Sequence, residues 1–181
     1  MLFHSYIKRD CSAFIAESRG FPAYKTIHVN SPPLIQQLYK IKVRHKNTTS
    51  EPTLNELYSA AFEPKLRERS VIVHGNIKLC ESSSNAFYIF PKDGYEFLYS
   101  KDVTCSAEDY KEVFNTLKEN MQQESAFTIL TDMLKFSYTD TKIDEGLKQE
   151  AEILIYNIPF FYAVPVSAYP NYNTLYEKLR A

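Results

Sequence analysis

Apolar positions along the chain recur at two periods, and the alternation between them predicts the elements. Ile7, Cys11, Phe14 and Ile15 stand at i, i+4, i+7 and i+8, one helical stripe that Gly20 and Pro22 bring to a stop. Residues 23–29 alternate Tyr24, Thr26 and His28 against Lys25, Ile27 and Val29, the period of a strand. Ser31-Pro32-Pro33 reads as a cap with proline in the first turn of a brief helix bearing Leu34, Ile35 and Leu38. Thr53-Leu54-Asn55-Glu56 has the form of a capping box, and Leu54, Leu57, Tyr58, Ala61 and Phe62 follow at helical spacing up to Pro64. Val71-Ile72-Val73 is a short β-branched strand closed by His74-Gly75-Asn76.

The second half continues the pattern. Residues 86–90 and 95–99 read as strands on either side of Pro91 and Asp93-Gly94, so a hairpin is expected there. Ser106 is placed to cap a long helix bearing Tyr110, Val113, Phe114, Leu117 and Met121. A second helix carries Phe127, Leu130 and Leu134, and a third, from about Thr141, carries Ile143 and Leu147 with Gly146 inside it. Residues 152–156 and 160–166 are apolar strands around an Asn157-Ile158-Pro159 turn, and Leu175 and Leu179 mark a terminal helix. No repeat, low-complexity run or linker interrupts the chain. The expected architecture is one α+β domain over residues 1–181.

Composition narrows the function classes. Lysine and arginine number 21 against 22 aspartates and glutamates, a net charge of -1 that argues against a general nucleic-acid binder. Four glycines, Gly20, Gly75, Gly94 and Gly146, lie too far apart to form a dinucleotide fingerprint, a P-loop or a kinase glycine loop. Cys11, Cys80 and Cys105 are odd in number and scattered, which suits a reducing cytosol and no disulfide framework. His4, His28, His45 and His74 join them in no CxxC or HExxH spacing, so no metal is expected. No apolar run approaches the ~20 residues that span a bilayer, and residues 1–8 lack the apolar core of a signal peptide, so no membrane is expected. The 14 tyrosines and 12 phenylalanines imply an aromatic-rich core, and the aromatic stretch 160–176 reads as part of that core or as a docking surface.

Two constellations carry candidate chemistry. Lys40, Lys42, Arg44 and Lys46 recur every second residue, so an extended chain places all four on one face. That is a cationic strip for phosphate or an acidic partner; the same pattern also describes an edge strand whose lysines block pairing with another sheet. Further on, Glu150 and Glu152 lie two apart where residues 149–152 run into Ile153-Leu154-Ile155. An extended entrance would point both the same way, and paired carboxylates can stabilise an oxocarbenium-like centre and position a nucleophile. The alternative is a solvated helix end followed by an exposed first strand residue.

The order of these segments resembles the mono-ADP-ribosyltransferase-like proteins of bacteriophages. The resemblance rests on Asp10-Cys11-Ser12-Ala13-Phe14-Ile15, then Gly20-x-Pro22-x-Tyr24 and Val43-Arg44-His45-Lys46. It continues through the helix 54–62, Arg69-Ser70 before a strand, Tyr88-Ile89-Phe90-Pro91 and residues 97–103. It ends with Glu152-Ile153-Leu154-Ile155 and Phe160-Phe161-Tyr162. The resemblance implies a split mixed β-sheet with helices packed on it, over a core of about residues 7–166, that grips NAD without a glycine-rich loop. It implies Glu152 and Glu150 as catalytic residues. Glu152 would bind the nicotinamide ribose hydroxyl and stabilise the sugar cation, and Glu150 would orient the acceptor. Tyr24, Lys25, Ser70 and His74 fall at or near the cofactor-binding positions. Where the family shows aromatic-Arg-Gly this chain has Tyr24-Lys25-Thr26, and where it shows a hydroxyl the chain has His74-Gly75-Asn76. Lysine keeps the charge but loses the planar fork that fixes two phosphate oxygens. The implied function is transfer of ADP-ribose from NAD to a host protein, with catalysis weakened or lost, in the host cytoplasm. The alternative is a non-enzymatic virion or interaction component meeting phage structural proteins on the same fold.

Overall fold

The computed structural model describes residues 3–28, 38–44, 52–80, 85–103 and 105–181. The brief helix expected after Ser31 falls almost wholly outside them, as do Lys46 and the side chain of Thr53. The chain is a single α+β domain, and its first apolar stripe is where the periodicity places it. Ile7, Cys11, Phe14 and Ile15 are all at most 7% exposed, on two short helices, α1 (His4–Asp10) and α2 (Ser12–Glu17). Cys11 breaks the helical run with φ −134° and ψ 28°. The freed amides of Ser12 and Ala13 donate to the Asp93 carboxylate at 3.2 and 2.9 Å, and the Ser12 hydroxyl donates to it at 2.8 Å. A carboxylate at a helix start satisfies orphan amides and complements the helix dipole.

The strands are β1 (Tyr24–Thr26), β2 (Tyr39–Lys42), β3 (Val71–His74), β4 (Ala86–Pro91), β5 (Glu96–Ser100), β6 (Tyr138–Thr139), β7 (Glu152–Tyr156) and β8 (Phe160–Pro165). They form one eight-stranded sheet in the order β2-β8-β4-β1-β3-β7-β5-β6. Every neighbouring pair is antiparallel, so the sheet is not mixed. The single register pair Tyr24↔His74 joins the half β2-β8-β4-β1 to the half β3-β7-β5-β6.

Neither expected turn closes a hairpin. β4 pairs with β1 and β8, while β5, four residues on, pairs with β6 and β7 in the other half. β7 and β8 divide in the same way. This division dictates the shape of the sheet. In a flat antiparallel sheet of this order β4 and β5 would run the same way, four strand spacings or about 19 Å apart. The link between them spans about 17 Å at full stretch, too short to return along a strand as well. The halves must therefore fold across each other at the one-pair seam, and the two tight links become crossings between them. Asp93, fastened to α2, and Gly94 at φ +87° shape one crossing. Asn157, at φ 58°, opens the other.

Two cores result. The larger gathers α1, α2, the aromatic strands β4 and β8, and the terminal helix α8 (Tyr172–Arg180) with Val71, Val73, Ile153 and Ile155 of the other half. The stretch 160–176 joins this core through Phe161, Tyr162, Tyr172 and, partly buried, Tyr169 and Tyr176. The second core lies between Leu98, Leu154 and Tyr156 and four helices. These are α3 (Pro52–Ala61), α4 (Leu66–Arg69), α5 (Ser106–Asn120) and α6 (Gln123–Ser137). Alternation along β7 sends Ile153 and Ile155 to the first core and Leu154 and Tyr156 to the second, so the strand is buried on both faces. Gly146 lies in α7 (Ile143–Lys148), where an added Cβ would meet the Tyr99 ring at 2.9 Å; close packing explains a glycine that costs helix propensity. No described helix is long and apolar enough to cross a membrane.

Candidate functional site

Tyr24, His74 and Glu152 lie in one row across the middle of the sheet. Tyr24 is the register partner of His74, and His74 is the register partner of Glu152. With strands about 4.8 Å apart, the row is about 10 Å long. Three of the six sequence-selected residues are thus brought together at the seam. The Tyr24 ring lies 5.5 Å from that of Tyr88, and burial raises its phenol above the ordinary value.

Lys25 follows Tyr24 in the strand, and its ammonium donates to the Ile72 carbonyl at 3.0 Å. That bond uses one of its three donors on the backbone of the neighbouring half. Ser70 lies apart from the row. Four residues before His74, it sits about 13 Å down the strand, and its hydroxyl donates to the Leu66 carbonyl at 2.7 Å, closing α4. It is therefore not beside Glu152, where the resemblance expects a hydroxyl.

The two glutamates face different environments. Glu150 is not in extended backbone: its φ is 61°, and β7 begins only at Glu152, so the two-residue rule does not operate. Glu150 is exposed and accepts from the Asn76 amide at 2.7 Å. Asn76 in turn accepts from the Lys78 amide at 2.9 Å. Gly75 explains this junction. A Cβ there would lie 2.0 Å from the Leu147 carbonyl oxygen and 3.0 Å from the Glu150 Cα. Position 75, where the resemblance expects a hydroxyl, admits no side chain, because the backbone at the end of β3 presses against the turn into β7.

Glu152 is 3% exposed, so neither the shared face nor the solvated alternative describes it. Its carboxylate accepts from the Ser106 amide at 3.1 Å and from the Ser106 hydroxyl at 2.5 Å, one bond to each oxygen. Arg67 donates to the same hydroxyl at 3.3 Å. Cys105 holds the cap position of α5 and Ser106 is its first helical residue, so the expected serine cap is replaced by a glutamate from 46 residues away. The helix start supplies an orphan amide and the positive end of a dipole, which together favour a buried carboxylate. The surrounding groups are phenols. The hydroxyls of Tyr58 and Tyr138 lie 2.5 Å apart, and the Tyr58 and Tyr110 rings meet edge to face at 6.5 Å. Burial pushes the Tyr58 phenol well up, and the charge of Glu152 adds to it.

Sequence reading missed Arg67, Tyr58 and Tyr138 as neighbours of Glu152, and took Ser106 only for a cap. Each occupies an ordinary helical or strand position, so no local pattern marks it.

The basic strand is an edge strand, and Lys40, Lys42 and Arg44 are all exposed, as both of its readings require. The Lys40 ammonium sits 3.8 Å above the Phe160 ring. An ammonium over an aromatic face is held by the ring quadrupole. No protein-family model, curated protein or solved structure matches the chain.

Proposed function

We propose that this chain is a phage-encoded protein on an ADP-ribosyltransferase-like split sheet in which NAD chemistry is lost or greatly weakened, and that it acts by binding another protein. One observation carries the reading: both oxygens of Glu152 are engaged by Ser106 in a site that is 3% exposed. A glutamate that stabilises a sugar cation must reach the ribose, and this one holds a helix start instead. The residues present therefore do not fit NAD. Lys25 spends a donor on a backbone carbonyl, and Gly75 leaves no room for the hydroxyl side chain.

Residual transferase activity is the second reading, and the row Tyr24–His74–Glu152 with exposed Glu150 beside Asn76 is what favours it. Labelled NAD incubated with the protein and host lysate separates the two. The expected result is no label above background and no detectable NAD binding. Label that disappears in both Glu152→Gln and Glu150→Gln overturns the proposal; Glu150 is exposed, so its variant reports on chemistry without disturbing the fold.

A further inference from the structure

Between the N-terminal helices and the last helix runs a groove of about 570 Å³. Ile15 and Leu179, 7% and 3% exposed, form its floor with Ala16, and Tyr176 forms a wall. The wall is anchored, because the Tyr176 hydroxyl donates to the Ile15 carbonyl at 3.0 Å. Gly20 permits this approach: a Cβ there would already stand 3.2 Å from the Tyr176 ring. The rim is cationic on both sides, with Lys8 and Arg19 from the N-terminal segment and Arg180 from α8. Arg19 is held by Asp144 at 3.6 Å, and the Arg180 guanidinium lies 5.8 Å from the Tyr176 ring centre. Arg19 occupies the left-handed region, φ 49°, just past the end of α2.

Three cations around an apolar floor stand out on a chain whose net charge is -1. We propose that this groove binds an acidic amphipathic helix of a partner protein. The partner's apolar side chains would lie over Ile15, Ala16 and Leu179 while its carboxylates meet Lys8, Arg19 and Arg180. An open channel between helices with charge on both banks suits a helix lying in a groove. The inference rests on the reading of the chain as an interaction module, and it names the face and the partner chemistry. None of its residues belongs to the row at the seam, so the two can fail separately.

The probe is a fluorescein-labelled 14-residue peptide with leucines at helical spacing and glutamates flanking them, compared with the same peptide carrying glutamines. Fluorescence anisotropy against the whole 181-residue chain is expected to show the glutamate peptide binding at least tenfold tighter in low salt, with the advantage shrinking as salt rises. A Lys8→Glu, Arg180→Glu variant should lose at least tenfold, and Ala16→Trp, which fills the groove, should abolish binding; thermal melts confirm that both fold. Equal affinity for the two peptides, no binding at 100 µM, or binding unchanged by these variants overturns the proposal. So does a preference for anionic phospholipid vesicles or for a 12-mer DNA duplex over the peptide. Peptide binding together with glutamate-dependent transfer from NAD would remove the non-enzymatic reading and leave the groove assignment standing.

Discussion

The two cores of this molecule are held by different physics. The larger has a dry centre: Phe14, Phe87, Phe90, Ile153 and Leu175 are fully enclosed, while its tyrosines make their hydroxyl bonds at half-buried margins, Tyr88 to the Tyr169 carbonyl, Tyr162 to Asp10 and Tyr176 to the Ile15 carbonyl. The smaller is built around polar groups, with the phenol pair Tyr58–Tyr138 and the bond from Ser106 to Glu152 set among leucines. In the first, specificity comes from shape. In the second it comes from the requirement that each buried donor find its acceptor. The difference bears on function, because Glu152, one of the two residues singled out for catalysis, is held beside the second core by Ser106 and is explained by it.

The largest expected effect belongs to the dry core. Phe14 touches Phe90 of one half and Tyr95 beside the other, edge to face at 6.2 and 5.9 Å. Phe14→Ala should cost about 3–5 kcal/mol in urea denaturation, and Phe14→Leu markedly less, because the loss follows volume. Equal losses for the two would mean that shape is not what holds this core.

The polar core should behave in the opposite way. Glu152→Gln preserves volume but leaves one acceptor oxygen for the two Ser106 donors and removes the charge at the helix start, so a loss of about 2–4 kcal/mol is expected, with the helix signal of α5 most affected. A neutral outcome would end the capping explanation and reopen catalysis. Tyr138→Phe, which removes only the hydroxyl facing Tyr58, should cost about 1 kcal/mol. If both isosteric changes are silent, the two cores do not differ.

What could be read in the chain follows the same division. Periodicity located the stripe Ile7 to Ile15, the long helices and the strand 152–156, because one-dimensional spacing encodes a face. It failed on the two tight turns. Pro91 to Gly94 and Asn157 to Pro159 carry turn chemistry, but nothing local states whether the following strand pairs with its predecessor or crosses to another sheet half. β6, two residues long, is too short to show a period. The row of Tyr24, His74 and Glu152 depends on strand register and was suggested only through the family resemblance. The role of Glu152 was hidden more deeply, since its partner Ser106 already had a local explanation as a cap.

The smallest effect concerns a charge at the margin of the dry core. Arg9 donates to the Asp10 carboxylate at 2.6 and 2.9 Å, and Tyr162 donates to it at 2.8 Å. The Arg9 hydrogen bonds are the main reason its pKa falls from 3.8 to about 2, burial opposes them, and the Tyr162 hydroxyl lowers it further. A carboxyl depressed by folding contributes stability in full above the unfolded value near 4, and that contribution fades as pH falls through about 2. Little of it is specific to the fold. Arg9 is the adjacent residue and its side chain is 65% exposed, so the pair forms in the unfolded chain too and water screens it. The Tyr162 bond is the part that needs β8 in place. Tyr162→Phe should therefore cost about 0.5 kcal/mol near pH 7, and its deficit in urea midpoint should narrow between pH 4 and pH 2. A deficit that widens in acid would show that Asp10 is held by burial and not by its donors. It would also place this margin with the polar core, where removing one hydrogen-bonding group is expensive because no water replaces it.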